Sequence, residues 1–275
     1  MSGTLYLVPT PIGNPRDITL RALDVLRTVP VIAAEDTRHY ATLARTHDLP
    51  RRSLSYHEHN EDARTAELLA RLQAGDDVAL VTDAGTPLLS DPGFTLVRAA
   101  AGAGIPVTSL PGASAITTAL AASGLPPLPF RFVGFPPRTS VRRRTFFADM
   151  ADDPATLVVF EAPHRLVETL ADARAALGDR GAVLARSITK PHERYERGAL
   201  SELEAKLRDG DEVRGECTLL VAGSREAPRA PGADDDARLL AEAGASARTV
   251  ATFLTTRHGL GRRAAYEIAQ RVTGG

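Results

Sequence analysis

The chain has 275 residues, of which 43% are hydrophobic, and a formal net charge of −1, enough for two modest domains or one large one. Cys217 is the single cysteine, so a disulfide framework and a thiolate metal cage are excluded, and the histidine spacing favours no metal site. The chain shows neither a basic leader nor an apolar run of about 18 residues, so we expect a soluble cytoplasmic protein without a membrane anchor.

The first half of the chain alternates short apolar runs with amphipathic segments. Near-continuous apolar runs predict buried strands at 4–8, 30–34, 77–82 and 105–110. Apolar residues spaced three and four apart predict helices at 18–29, 61–73 and 93–104. This alternation favours an α/β domain with a mostly parallel sheet that is covered by helices on both faces.

A proline-rich stretch at 123–130 interrupts this rhythm and is interpreted as an interdomain linker. A second series of strands is predicted at 131–135, 156–161, 182–188 and 216–223, with helices at 163–178 and 200–210. Beyond a linker at 226–236, three short helices are predicted at 237–244, 246–259 and 261–272. Ser246 suits a helix N-cap, while Gly244 and Gly259 suit helix ends. The predicted domains are 1–122, 123–225 and the tail at 226–275.

Glycine- and proline-rich loops follow three of the four predicted strands of the first half, at 9–15, 82–93 and 111–115, and the polar loop AEDTRH follows the other strand at 34–39. Any one of these loops could be an ordinary turn. Because all four fall at the carboxyl edge of one sheet, together they predict a binding cleft lined by backbone atoms. The chain has neither a GxGxxG dinucleotide fingerprint nor a GxxxxGK[ST] phosphate loop. A neutral or cationic ligand therefore fits these loops better than a phosphate.

Several motifs carry a family resemblance: LYLVPTPIGNPRDITLRAL, AAEDTR, LVTDAGTPLLSDPG, LPGASA and VFEAPHR, followed by the helical tail. In this order they resemble the ribosomal RNA small subunit methyltransferase I family of the tetrapyrrole methylase superfamily. The resemblance covers almost the whole chain. It implies two α/β domains of tetrapyrrole-methylase type with S-adenosylmethionine in the interdomain cleft. It also implies 2′-O-methylation of a cytidine ribose in the decoding region of small-subunit (16S) rRNA.

The resemblance also implies a set of cofactor contacts. From the loops of the first domain these are Ile12, Asp83, Ala84, Gly85, Thr86, Leu89, Ser114 and Ala115. From the second domain they are Phe160, Glu161, Glu216, Cys217 and Thr218. Members that act on tetrapyrroles tend to have GxGPGD in the first loop, where this chain has PTPIGN, which favours the RNA branch.

Individual residues in the cleft allow both a structural and a functional interpretation. Asp83 could cap its own turn or contact the sulfonium, and Cys217 could simply be a small buried apolar side chain. Glu161 could end its strand in solvent or favour the sulfonium or the attacking hydroxyl. Transfer to a hydroxyl needs alignment and proton removal. Lys190 is the candidate cation for the alkoxide, oriented by Glu193 or Glu161, unless the segment 186–196 is a solvated loop.

Clusters of arginine predict contacts with RNA phosphates. Arg38 follows the second strand, and a second cluster consists of Arg138, Arg142, Arg143 and Arg144. A third cluster lies in the tail, where residues 246–275 hold five arginines against the single acid Glu267. Its members predicted to bind RNA are Arg248, Arg257, Arg262 and Arg263. The competing interpretations are a capping ion pair for Arg38, a solvated helix start for the second cluster and dimer packing for the tail.

The partners predicted from the sequence are small-subunit rRNA, or the assembled small ribosomal subunit, and a second copy of the chain in a homodimer. Two other functions remain open. One is a C-methyltransferase that acts on a tetrapyrrole or another small molecule, and the other is a non-catalytic RNA-binding or assembly module. A tetrapyrrole enzyme has no evident use for the arginine clusters.

Overall fold

The computed structural model describes residues 2–210, 215–224 and 232–273. These residues form two units, one from Met1–Ala151 and Ala155–Gly223, the other from Asp152–Pro154 and Ser224–Gly275. Two five-stranded sheets and their helices make up the first unit, and helices dominate the second. The predicted fold class, α/β with a helical tail, is confirmed.

The first sheet is parallel throughout. Its strands are β1 (Leu5–Leu7), β2 (Val31–Ala34), β3 (Leu54–Ser55), β4 (Val78–Val81) and β5 (Val107–Ser109). They lie in the order β3-β2-β4-β1-β5. Because every carboxyl end of a parallel sheet faces the same way, the loops that follow β1, β2, β4 and β5 meet at one edge.

Five helices accompany this sheet: α1 (Leu20–Thr28), α2 (Thr37–His47), α3 (Glu61–Ala74), α4 (Phe94–Gly102) and α5 (Ala115–Ser123). The apolar stripes of α1 and α2 pack on one face, and those of α3 and α4 pack on the other. Side chains of β1 alternate between these two clusters, with Leu5 and Leu7 on one face and Tyr6 and Val8 on the other. Burial on both faces explains why the strands are apolar at consecutive positions.

The second sheet is mixed. Its strands are β6 (Phe130–Phe132), β7 (Thr156–Glu161), β8 (Gly181–Arg186), β9 (Arg194–Ala199) and β10 (Cys217–Val221). They lie in the order β6-β7-β10-β8-β9, and only the β6–β7 pair is parallel within the described sheet. The outer face packs against α6 (Ser140–Ala148), α7 (Leu166–Leu177) and α8 (Leu200–Arg208).

The inner face of the second sheet packs against the first half of the chain. Val158, Val183 and Leu220 from this face share a cluster with Ile116 and Leu120 of α5 and with Ile12 of the first loop. The two sheets thus meet through α5 and through the loop after β1. All strands of the first sheet precede residue 123 in the sequence, and all strands of the second sheet follow it. The domain boundaries at 122 and 225 stay predictions.

The second unit contains α9 (Ala233–Glu242), α10 (Ala247–His258) and α11 (Arg262–Thr273). They pack around a small cluster that includes Val250, Leu254 and Ala265. Ser246 caps α10 as predicted, since its hydroxyl accepts a hydrogen bond from the Thr249 amide at 3.2 Å. Gly244 and Gly259 follow the ends of α9 and α10 with φ of 82° and 64°, values that favour glycine.

The main differences from the predicted elements lie in short or polar segments. Strand β3 has two residues, and β9 carries the charged residues Arg194, Glu196 and Arg197 on a sheet edge, so neither forms an apolar run. Part of the segment 186–196, predicted as a possible solvated loop, therefore belongs to a strand. Residues 233–236 of the predicted linker begin α9, whereas 226–231 lie outside the described residues. No helix in the described ranges is long and apolar enough to cross a membrane.

Candidate active site

Hydrogen bonds tie together the loops that follow β1, β4 and β5. Thr10 and Gly85 exchange two backbone hydrogen bonds of 2.9 Å, and the Thr10 hydroxyl donates to the Thr82 carbonyl at 2.9 Å. The Thr86 hydroxyl donates to the Ala113 carbonyl at 3.2 Å. The three loops therefore form one connected platform at the carboxyl edge of the first sheet.

The turn within residues 82–93 uses left-handed backbone at four positions. Gly85 and Gly93 have φ of 83° and 133°, and Leu88 and Ser90 have φ of 76° and 74°. Left-handed backbone is costly for residues with a Cβ, so this loop is held in shape by the contacts around it. The dense run of Gly, Pro, Asp and Ser is thus a sharply folded platform beside a cleft.

A cavity of about 520 Å³ lies between this platform and the inner face of the second sheet. Its volume falls within the usual range of roughly 300–1,000 Å³ for ligand pockets. Every cofactor contact implied by the resemblance lines it except Asp83: Ile12, Ala84, Gly85, Thr86, Leu89, Ser114, Ala115, Phe160, Glu161, Glu216, Cys217 and Thr218. Residues from distant parts of the sequence are therefore brought to one cleft.

Strand register decides which of these residues offer a side chain to the cavity. Phe160 is paired with Thr218, and Glu161 with Cys217. Phe160 packs in the inner cluster, whereas Cys217 packs in the outer cluster beneath α6, α7 and α8. Since side chains alternate along a strand, Phe160 and Thr218 face the cleft. The Cys217 side chain is buried in the outer cluster, which confirms its interpretation as a small buried apolar residue. This burial raises the pKa of its thiol to about 11.

The Glu161 carboxylate is fully engaged on the outer side of the second sheet. It accepts hydrogen bonds from the Thr169 hydroxyl at 2.6 Å and the Ala162 amide at 2.8 Å, and Arg165 lies 3.4 Å away. Its side chain has no exposed surface. The expectation that this carboxylate acts on the sulfonium or the attacking hydroxyl is therefore wrong. Glu161 instead fixes the start of α7, and its backbone contributes to the cavity wall.

Lys190 and Glu193 belong to a tight loop after β8. Ser187 and Thr189 have φ of 51° and 62°, and the Glu193 carboxylate accepts the Thr189 amide at 2.6 Å. The Thr189 hydroxyl in turn accepts the Asn14 amide at 3.0 Å, which joins this loop to the loop after β1. Glu193 thus shapes the loop, while the Lys190 ammonium lies 2.5 Å from the Glu216 carboxylate at the rim of the cleft.

The carboxyl groups of Glu35, which follows β2, and Asp83, which follows β4, interact with each other and with that of Asp91. The Asp83 amide donates to Glu35, and Asp83 accepts the Asp36 amide, each at 3.2 Å. Burial raises the pKa of Glu35, and the Asp83 charge adds to this effect. Burial, reinforced by the charges of Glu35 and Asp83, raises the pKa of Asp91 to about 7. Asp91 lines the 520 Å³ cavity, so this cavity includes a carboxyl group that titrates near neutrality.

A second cavity, of about 280 Å³, lies beside the first. Asp83 lines this second cavity and not the first, and the two cavities share Ile12, Ala84 and Glu216. Its other walls come from Glu35 and Asp36, from α2, from the loop after β1 and from Lys190.

The arginines predicted to bind RNA differ in accessibility. Arg143 is completely buried: its guanidinium contacts Asp172 at 2.8 Å and Glu168 at 3.2 Å. Its predicted phosphate contact is therefore wrong, because its apolar neighbours draw it into the core beneath α7. Arg144 is exposed but also bonds Asp172, at 2.7 Å, and Arg138 and Arg142 are exposed. Arg38 is 90% exposed and paired with Asp36, which caps α2.

The tail unit exposes most of its arginines. Arg263 pairs with Glu267 at 3.1 Å, and Arg271 pairs with Asp234 of α9. Arg248, Arg257 and Arg262 are exposed and have no ion pair within the described residues. Among the tail arginines predicted to bind RNA, these last three therefore carry the unpaired positive charge.

Comparison with known proteins identifies the family of this chain. Residues 4–204 match the family model for Tetrapyrrole (Corrin/Porphyrin) Methylases. A protein of Micromonospora olivasterospora named Ribosomal RNA small subunit methyltransferase I is 52% identical, over 99% of this chain and 83% of its own length. The chain belongs to the ribosomal RNA small subunit methyltransferase I family of tetrapyrrole methylases.

Other members and fold relatives agree with this assignment. The protein of the same name from Escherichia coli O157:H7 is 43% identical, over 97% of this chain and 94% of its own length. A crystal structure of uroporphyrin-III C-methyltransferase from Thermus thermophilus, complexed with S-adenyl homocysteine, has a TM-score of 0.54 and 23% identity. It covers 80% of this chain and 97% of that chain, and shows that the tetrapyrrole methylase fold is shared.

Some cavity residues of this tetrapyrrole methylase were not selected from the sequence. Asp91 and Ser90 lie inside the motif at 82–93, and their carboxyl and hydroxyl groups were the available signal. Phe135 follows β6 and its ring lies 5.7 Å from that of Phe160. Periodicity could not have revealed Phe135, because it depends on how the segment after β6 turns toward the cleft.

Proposed function

We propose that this chain methylates the 2′-hydroxyl of a cytidine ribose in the decoding region of small-subunit rRNA. Family membership makes it a methyltransferase with S-adenosylmethionine as the methyl donor. The observation that carries the proposal is the 520 Å³ cavity, where twelve residues implied for the cofactor converge. The two relatives described above, which match almost the whole chain, are named for small-subunit rRNA.

The chemistry of the cavity fits this cofactor. Gly85 leaves space at the wall, since a Cβ there would lie 3.4 Å from Ile12 Cγ2 and 3.8 Å from the Ala113 carbonyl oxygen. Phe160 and Phe135 offer aromatic surface to a purine, and the amino end of α5 at Ser114 suits a carboxylate. The Asp91 carboxyl group suits the positively charged sulfonium of the cofactor. When bound, the sulfonium supplies an activated methyl group.

The acceptor hydroxyl needs a group that receives its proton and a cation that favours the forming alkoxide. We assign the first role to Asp91, which lines the cofactor cavity and titrates near neutrality. Lys190, held by Glu216 at the rim, takes the second role. Glu193 positions Lys190 through the backbone of their shared loop. The Glu161 carboxylate has no part in this scheme.

RNA binding is assigned to exposed arginines of both units. In the first unit these are Arg38, Arg138, Arg142 and Arg144, and in the tail Arg248, Arg257, Arg262 and Arg263. Cations on an exposed surface contribute affinity that is independent of sequence and sensitive to salt. The tail thus supplies affinity, and the cleft supplies the reaction.

We also propose that the chain forms a homodimer. Large apolar side chains lie exposed on the first unit, among them Leu20 at 80%, Phe94 at 64% and Leu128 at 77%. A second copy would cover surface of this kind. Light scattering at micromolar concentration is expected to give twice the mass of the chain, and a monomer would contradict the dimer.

The test is methyl transfer from labelled S-adenosylmethionine to small ribosomal subunits that lack the modification. Ribose-methyl mapping should place the label on one cytidine in the decoding region, and the same mark should disappear from a deletion strain. Label on uroporphyrinogen and none on subunits would favour the tetrapyrrole alternative. Failure to bind S-adenosylmethionine in calorimetry would favour a non-catalytic assembly module.

A further inference from the structure

One wall of the 280 Å³ cavity, on α2, does not line the 520 Å³ cavity. Helix α2 turns one face toward the 280 Å³ cavity, formed by His39, Thr42, Leu43 and Thr46 at three- and four-residue spacing. The opposite wall is the loop after β1, from Thr10 to Pro15. A hydrogen bond of 2.9 Å between the His47 ring and the Pro15 carbonyl holds the end of α2 against this loop. The cavity is therefore part of the fold and separate from the 520 Å³ cavity.

The charges around this cavity exclude a phosphate group. Carboxylates of Glu35, Asp36, Asp83 and Glu216 line it. Its cation Lys190 is paired with Glu216, Arg38 outside it is paired with Asp36, and the His39 ring lies 4.0 Å from Asp83. Four carboxyl groups against one lysine and one histidine keep the wall acidic, and an anion would be repelled. An uncharged group that carries amino donors suits such a wall, and carboxylates accept hydrogen bonds from the exocyclic amine of cytosine.

The 280 Å³ cavity adjoins the 520 Å³ cavity that we assign to the methyl donor. The two cavities share Ile12, Ala84 and Glu216, so an occupant of one lies against an occupant of the other. Lys190 lies at the second cavity and bonds Glu216, which borders both. Asp91 borders the first cavity and interacts with Glu35 and Asp83 of the second. The groups assigned to the proton and the alkoxide thus lie beside the junction.

We propose that the 280 Å³ cavity receives the acceptor nucleoside, turned out of its RNA stack, with the base against Glu35 and the ribose at the junction. This inference rests on the proposed function. The volume lies just below the range of roughly 300–1,000 Å³ for drug-sized ligands, as expected for one nucleoside. Turning out a nucleotide costs a few kcal/mol unless it is already unpaired, so the enzyme favours an unstacked target. The phosphates remain outside, on the arginine surfaces.

The test fills the cavity from α2 without touching the cofactor. Thr42→Trp and Thr46→Trp place an indole at exposed helix positions on the cavity wall. Thr28→Trp in α1 is the matched control, because Thr28 is also exposed and helical and lines neither cavity. At all three positions the threonine hydroxyl donates a hydrogen bond of 3.0–3.2 Å to the backbone carbonyl four residues earlier. Threonine and tryptophan have similar helix propensity, so all three variants should fold.

The expected result separates reaction from binding. In single-turnover assays on unmodified small subunits, Thr42→Trp and Thr46→Trp should transfer methyl at least 100-fold more slowly than wild type. Their affinities for S-adenosylmethionine and for subunits should stay within threefold, and Thr28→Trp should match wild type. Glu35→Gln should lower the preference for cytidine over uridine at the target by about tenfold, since it loses a carboxylate acceptor.

Wild-type rates in both cavity variants would overturn the assignment. So would a loss of cofactor affinity that parallels the loss of rate, because the cavity would then belong to the cofactor site. If the wild-type chain bound S-adenosylmethionine but methylated no small-subunit RNA, the proposed function would fail, and this assignment with it.

Discussion

Replacing Gly85 by valine tests the cavity wall most directly. Gly85 has a φ of 83°, and its Cβ would point between Ile12 Cγ2 at 3.4 Å and the Ala113 carbonyl oxygen at 3.8 Å. Both distances are ordinary contacts, so the fold has room for the Cβ itself. The two methyl groups of valine would extend further, into the cavity that we assign to the cofactor.

The magnitude has two parts. A side chain in left-handed backbone costs about 1–2 kcal/mol of stability, and this cost is the same whether the cofactor is bound or not. Overlap between added methyl groups and a packed neighbour costs about 1–3 kcal/mol, and this cost arises only in the complex. Affinity for S-adenosylmethionine should therefore fall by roughly tenfold to a hundredfold, while the protein stays folded.

Calorimetry with S-adenosylmethionine gives the affinity, and thermal denaturation gives the stability. Gly104→Val is the matched control, because Gly104 has a φ of 69° and a Cβ there would meet no atom within 4 Å. It should lose similar stability and keep its cofactor affinity. An unchanged affinity in folded Gly85→Val would refute the assignment of Gly85 to the cofactor wall. Equal losses of affinity in both variants would show that strain, not overlap, is responsible.

Three further predictions concern charge. The pKa of Asp91 is raised to about 7, so the wild-type protein loses stability as this carboxyl group ionises between about pH 4 and pH 7. Asp91→Asn cannot ionise and should not show this loss. After allowance for solvent screening, the variant should be about 1–2 kcal/mol more stable than wild type at pH 8 but not at pH 4. Equal denaturation temperatures at pH 8 would count against it. Arg143→Ala should lower the free energy of unfolding by about 3–5 kcal/mol in urea, since it leaves the buried Asp172 carboxylate without its buried cationic partner and only the exposed Arg144 in its place. A loss below 1 kcal/mol would contradict the buried pair. Alanine at Arg248, Arg257 and Arg262 together should flatten the slope of log affinity for RNA against log salt by about 2. An unchanged slope would exclude phosphate contact by these three arginines.

The sequence predicted the first sheet well because buried parallel strands are apolar at every position and glycine marks their loops. It failed at Arg143, whose charge indicated solvent, because a partner 29 residues away, Asp172, neutralises that charge inside the core. Hydrogen bonds from Arg144, Ser140 and Arg143 outweigh burial and lower the pKa of Asp172. Sequence spacing carries no information about a pair of this kind.

Glu161 illustrates a second limit. The family motif placed this residue at the cleft, and its backbone lies there. Whether its side chain also faces the cleft depends on strand register, because one step along a strand reverses the face. Phe160 and Glu161 are neighbours in sequence, yet only Phe160 turns its side chain toward the cavity. Register is set by pairing with β10, which the local sequence of β7 does not encode.

The location of Cys217 provides a built-in probe of opening. It is the only thiol of the chain, it is 4% exposed, and it begins β10, the central strand of the second sheet. Alkylating reagents modify the thiolate, so this sulfur should react only when β10 separates from its neighbours. The rate of alkylation by iodoacetamide then reports the opening equilibrium of the second sheet without any engineered label. S-adenosylmethionine, if it binds only the closed form, should slow that rate by a factor of 1 + [L]/Kd, where [L] is its free concentration.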